Sequence, residues 1–204
     1  MKRPLLALAF AAAFATPAFA ADYAIDGTHT QVQFTYNHFG LSNITGRFDE
    51  VKGTFDFDPA NPAKSSIQVE IPIASLSTGV AKLDTHLQSA DFFDAEKFPT
   101  ATFKSTKVTA VGDKKLAVAG DLSIHGVTKP VVLDVTINSI GPHPMKKSPA
   151  AGFDATLTIK RTEFGIGKYA PAVGDDVKLA ITMEANAAAP AAADSPVREA
   201  VPAG

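Results

Sequence analysis

Apolar and polar residues alternate along most of this chain, and turn-forming residues cut the alternation into short stretches. Val32, Phe34, Tyr36 and His38 share one face of such a stretch, while Gln31, Gln33, Thr35 and Asn37 share the other. The pattern recurs at Gly53, Phe55, Phe57; at Ile67, Val69, Ile71; and at Leu116, Val118, Gly120, Leu122, Ile124. It returns at Val131, Leu133, Val135, Ile137; at Phe153, Ala155, Leu157, Ile159; and at Val177, Leu179, Ile181, Met183. Asp26-Gly27, Asp58-Pro59, Gly112-Asp113, His125-Gly126 and Gly141-Pro142 separate these runs. Period two predicts half-buried strands, and short connections predict antiparallel pairing. The expected fold is all-β, a sandwich or barrel of about eight strands.

One stretch departs from the alternation. Leu83 to Pro99 reads LDTHLQSADFFDAEKFP, with spacing that suits a short helix over residues 80–89 started by Ser77 or Thr78. Leu83, Leu87 and Ala90 then form an apolar stripe, with Asp84, Gln88 and Asp91 beside it. His86 falls on the far side, about 120° or more from Asp84. These groups are therefore not expected to grip one metal ion. The helix instead lays Leu83 and Leu87 on the barrel, and Phe92 and Phe93 dock after it.

The ends of the chain change the picture. Lys2 and Arg3 precede an apolar run from Leu5 to Ala15, and Ala18-Phe19-Ala20 gives a small-x-small site. Residues 1–20 are read as a secretory signal peptide cleaved after Ala20, and the expected location is the bacterial periplasm. Residues 21–187 form the barrel, and the Ala/Pro-rich 188–204 is expected to be a disordered tail. Without Lys2 and Arg3, 17 of the 19 basic residues face 21 acidic ones, and the formal charge moves from −2 to −4. Such a balance, with no basic run, argues against nucleic acid as a partner. The chain has no cysteine, so packing alone must hold it.

Candidate chemistry is sparse. There is no GxSxG elbow, cysteine nucleophile or HExxH. The five histidines, at 29, 38, 86, 125 and 143, never adopt the i, i+4 spacing. No catalytic residue, metal ligand or cofactor is assigned. Small residues at Gly46, Gly53, Ala101 and Gly120 stand among large rings, a pattern that suits either an internal cavity or a tapering, filled barrel. Arg161 continues the face of Phe153, Ala155, Leu157 and Ile159, so continued pleating aims its guanidinium inward; a strand-end salt bridge to Asp154 or Glu163 is the competing reading. His38 holds a similar strand-end position.

The stretches YAIDGTHTQVQFTYNHFG, GRFDEVKGTFDFD, THLQSADFFDAEKFPTATFKS, AGDLSIHGVTKPVVLDV and KRTEFGIG occur in that order between Tyr23 and Ala187. As a set they resemble the YceI-like, polyisoprenoid-binding family of bacterial periplasmic proteins. The resemblance implies a lipocalin-like antiparallel barrel with a short helical element beside it. It also implies an apolar channel for a polyisoprenoid or similar long-chain lipid, held by a carrier, shield or sensor. The channel-wall candidates are Phe34, Tyr36, Phe55, Phe103, Leu122, Leu157, Ile159 and Met183, joined by Leu87, Phe92 and Phe93 from the helical stretch. Arg161, His38 and His86 are the candidates for a headgroup site or mouth. Transient membrane contact fits this reading, and the oligomeric state is left open. Two other classes stand beside it: an enzyme acting on a lipid or quinone through His38, His86 or Asp84, and a filled barrel serving as a partner-binding module.

Overall fold

Each alternating stretch becomes a strand because its apolar face has a shared interior to turn towards. The computed structural model describes residues 21–187; the expected signal peptide and tail lie outside the described residues. In chain order the elements are β1 (Ala21–Ile25), β2 (Gln31–His38), β3 (Ser42–Phe48), β4 (Lys52–Phe57), β5 (Ser66–Pro72) and β6 (Leu76–Ser77). Helix α1 (Ala81–Gln88) follows, then β7 (Thr100–Gly112), β8 (Lys115–Ile124), β9 (Val127–Pro142), β10 (Pro149–Lys160) and β11 (Val173–Ala187).

Eight strands close a ring in the order β1–β4–β5–β7–β8–β9–β10–β11 and back to β1, every neighbour antiparallel. The fold is thus a closed, eight-stranded, lipocalin-like barrel with one helix. The closing strand is shared. Residues Val173 to Thr182 of β11 pair with β2, and Ala185 to Ala187 pair with β1. One end of the barrel is therefore closed by β1. At the other end β2 and β3 take its place, and no ladder joins β3 to β5 among the described residues. The two residues of β6 pair with Arg47 and Phe48 there, and α1 with the segment after it covers the rest of the seam.

The core divides along the same line. Phe55 and Phe57 each meet Phe153 edge to face near one end, with centroids 5.2 and 5.3 Å apart. Val32, Phe34, Phe48, Ile73, Leu76 and Leu87 pack at the other. The small residues do not create the empty space. A Cβ at Gly46 would meet the Phe34 ring at 2.3 Å, and one at Gly120 would meet the Phe103 ring at 2.4 Å. The rings already sit on those glycines, as the tapering alternative required.

Two local expectations need correction. The helix is shorter than expected, running Ala81–Gln88, and its N-cap residue is Val80, with no side-chain cap. Thr78 contributes in reverse: the Asp84 carboxylate accepts from its N–H at 2.7 Å and its hydroxyl at 2.6 Å. An acidic group in the first turn also suits the helix dipole. Second, β10 stops at Lys160, and Arg161 opens a short 3-10 turn to Phe164 that ends on left-handed Gly165. Arg161 is buried all the same.

Candidate functional site

The inward faces leave two apolar chambers that abut inside the barrel. The first, about 140 Å³, has Phe55, Phe103, Leu122, Leu157 and Met183 in its wall, with Thr30, Ser65 and Ser66 as its polar lining residues. The second, about 110 Å³, is walled by Phe34, Tyr36, Leu122 and Ile159, and by Leu87, Phe92 and Phe93 of the seam cover. Val32, Ile71, Leu122 and Leu179 line both and form an aliphatic waist between them. Both chambers are small beside the ~300–1,000 Å³ of an ordinary ligand pocket. A slender chain fits this shape better than a broad ring system.

All eleven wall candidates line one chamber or the other. Sequence reasoning missed Val32, Ile71 and Leu179 at the waist, although each stands in an alternating run. It also missed Phe164, Ile166 and Val173, which roof the second chamber beside Arg161. Phe164 and Ile166 follow the end of β10, where no periodicity marks them.

Arg161 lines the end of the second chamber, and the residue is only 6% exposed. Its Nε donates to Gly174 O at 2.9 Å, and Nη1 donates to Ile166 O at 2.7 Å and Lys168 O at 2.9 Å. Nη2 donates to Val173 O at 2.8 Å. Neither Asp154 nor Glu163 pairs with it. The guanidinium carries five N–H groups, so one remains uncommitted after these four bonds. Burial pulls its pKa below the ordinary value, while Asp175 and Tyr36 pull the other way. Tyr36 lies beside it, and burial raises that hydroxyl above its usual range despite the opposing pull of Arg161. The Tyr36 hydroxyl thus stays neutral near pH 7. The end of the chamber offers a cation satisfied by carbonyl dipoles; no carboxylate among the described residues forms an ion pair with it, and Asp175 offsets its charge only from a distance.

His38 and His86 line neither chamber. His38 stacks edge to face on Phe39, with centroids 4.5 Å apart. His86 lies 3.5 Å from Asp91, contrary to the separation expected from a continuous helix. The helix ends at Gln88, and the following turn swings Asp91 back towards His86. Lys168 donates to the same carboxylate at 3.1 Å, and Phe92 lies 6.3 Å from Tyr169 between centroids. These contacts latch the seam cover to the loop that Arg161 holds. The hydrogen bond from Lys168 is the chief cause of the lowered Asp91 pKa, assisted by His86. The latch is therefore complete above the unfolded carboxylate value of about 3.9 and is lost as pH falls through the depressed folded value. Asp84, bonded to Thr78, takes no part.

Elsewhere, Asp26, His29 and Glu184 offer three ligand atoms close together. His29 is 3.1 Å from Asp26 and 3.8 Å from Glu184. The Asp26 carboxylate also accepts the Thr28 N–H, which makes it part of the β1–β2 turn.

A closed antiparallel barrel with a divided apolar interior and one buried cation defines a lipocalin-like β-barrel protein. More narrowly, the YceI-like domain matches residues 23–185, and the chain belongs to that family. It is 45% identical over 170 residues to a UPF0312 protein of Vibrio cholerae serotype O1, covering 81% of this chain and 89% of that one. The crystal structure of Burkholderia cenocepacia BcnA aligns with a TM-score of 0.72 at 29% identity, covering 78% of this chain and 98% of BcnA. A polyisoprenoid binding domain from Saccharophagus degradans, implicated in plant cell wall breakdown, aligns with a TM-score of 0.63. It covers 83% of this chain and 100% of that domain, and at 16% identity the likeness is one of fold.

Proposed function

We propose that this barrel takes up the hydrocarbon chain of a polyisoprenoid or similar long-chain amphiphilic lipid, acting as a periplasmic carrier, shield or sensor. The observation that carries the reading is the pair of apolar chambers in line, with a buried cation at one end. A chain threaded through the waist gains roughly 0.8 kcal/mol per buried methylene before the cost of ordering it. Its polar end meets Arg161 and Tyr36. The fold neighbour described as a polyisoprenoid binding domain supports this reading. Binding needs no covalent step, and His38, His86 and Asp84 each have separate neighbours and form no common site.

Native mass spectrometry of gently purified protein, before and after organic extraction, tests this directly. The expected result is a stoichiometric long-chain lipid, released unchanged, on a chain whose intact mass begins at Ala21. An empty barrel without extractable lipid sinks the proposal and favours a partner-binding module. Leu179→Trp, which fills the waist, is expected to remove long chains from the bound population while shorter ones remain. An unchanged chain-length distribution would rule out passage through the waist.

The seam cover is the part that must move for loading. Asp91→Asn weakens the latch to Lys168 and His86 at an exposed site, where ion pairs contribute little to overall stability. The expected outcome is faster exchange of a fluorescent fatty chain with a nearly unchanged melting temperature. The wild type should show the same acceleration only at acid pH, below the ordinary carboxylate range. Identical exchange rates in the two proteins would place entry elsewhere.

A further inference from the structure

The end of the barrel opposite Arg161 presents cations and apolar side chains together, on two adjacent turns that the chambers do not use. Strand β9 outruns β8: Lys115 pairs with Thr136, whereas β9 continues to Pro142 against Pro149 of β10. At about 3.3 Å per residue, the β9–β10 hairpin projects past its neighbour by on the order of 20 Å. The β7–β8 turn is tied to its base where the Ile137 N–H donates to Lys114 O at 2.8 Å.

The two turns carry Lys114, Lys115, Lys146 and Lys147, all exposed. None pairs with a carboxylate among the described residues. Lys115 Nζ donates to the Thr136 hydroxyl and Lys147 Nζ to Pro144 O. The acid on these turns is Asp113; Asp58, on the facing loop, accepts the amides of Ala60 and Asn61. Among the lysines stand Met145, 86% exposed, Val111, 61%, and Ile140, 42%. In a chain of formal charge −2, these two turns are thus basic and apolar-tipped, with Asp56 exposed on β4 at the same end. Lys114 and Lys147 also occupy left-handed backbone, with φ of 54° and 61°. Glycine or asparagine holds that conformation more cheaply, so local stability does not explain the lysines.

We propose that this pole docks on an anionic lipid bilayer, with Met145, Val111 and Ile140 entering the headgroup boundary while the four lysines meet lipid phosphates. Interfacial binding combines apolar area with cations in this way. Two copies meeting at this pole would oppose lysine to lysine, and the turns hold neither the aromatic rings nor the arginines that reward nucleic acid. Strand β1 begins and β11 ends at the same end of the barrel.

The test uses the mature full chain and co-sedimentation with vesicles of phosphatidylcholine alone or mixed with phosphatidylglycerol. Binding to the mixed vesicles alone, weakening as salt rises, is the expected result. Replacing two lysines, in Lys114→Asn with Lys147→Asn, should lower that affinity by roughly thirtyfold, at about 1 kcal/mol per cation. The melting temperature should hold or rise, because asparagine relieves the backbone strain. Met145→Asp should weaken binding further. Equal binding to both vesicles, no binding to mixed vesicles at low salt, or an unaffected double variant overturns the proposal. So does loss of binding on Leu41→Asp, which lies at the opposite end. Vesicle binding and lipid cargo are separate readouts, so failure of one proposal leaves the other standing.

Discussion

Replacing Arg161 with leucine is expected to lower the stability of the fold by about 2–6 kcal/mol, about 1–3 for each of the two fully buried carbonyls left unpaired, read as a fall in the urea midpoint. The side chain does not act through an ion pair. It gathers four carbonyls, those of Ile166, Lys168, Val173 and Gly174, which the chain path leaves pointing at one spot. Leucine fills much of the volume and supplies no donor, and each buried carbonyl left unpaired costs about 1–3 kcal/mol. The loop between β10 and β11 then loosens, and the roof formed by Phe164, Ile166 and Val173 loosens with it. Arg161→Lys should fall between the two, since one ammonium cannot span all four acceptors. A midpoint within experimental error of the wild type would show that the carbonyls find other donors. The same arithmetic makes Arg161→Leu a poor probe of headgroup binding, because it removes the site's framework along with its charge. Comparing charged and uncharged lipids on the intact protein avoids that difficulty.

The second large effect concerns Gly53 in β4. A Cβ there would stand 2.1 Å from Gln68 O and 2.9 Å from Val69 Cα. Both atoms belong to the backbone of β5, so no rotamer change can make room. Gly53→Ala is therefore expected to cost about 3 kcal/mol or more, the upper range for overpacking, visible as a depressed melting temperature. Gly46→Ala provides the contrast. Its nearest neighbour is the tip of the Phe34 ring, which can turn aside into the second chamber. A smaller stability loss is expected there, with reduced uptake of a bulky chain. Equal losses in the two variants would show that backbone and side-chain obstruction are not distinguished at these sites.

The walls of the barrel could be read from the chain because burial on one face imposes a period of two, and that period survives in the residues themselves. Strand β3 is harder to see, since Gly46 stands where a large apolar residue would mark the face. In β7 a register shift between Ser105 and Lys107 changes the parity, so Phe103 and Val108 both turn inward although they stand an odd number of positions apart. The site was legible where it was made of strands. Where it depends on loops it was not: the carbonyls that hold Arg161 come from residues whose direction is set by the path of the chain. His86 and Asp91 fail as a helical-wheel prediction for a similar reason, because the wheel was carried past the last helical residue.

The fork in β11 leaves the molecule closed in two different manners. At the β1 end, hydrogen-bonded ladders complete the circle, and a ladder yields cooperatively because each bond keeps the next in register. Along the line between β3 and β5, side chains and one short helix do the sealing, and such contacts can part piece by piece. The seam is therefore expected to open on a faster clock than the ring. On the proposed reading, a bound hydrocarbon chain is expected to leave by the seam without waiting for the ring.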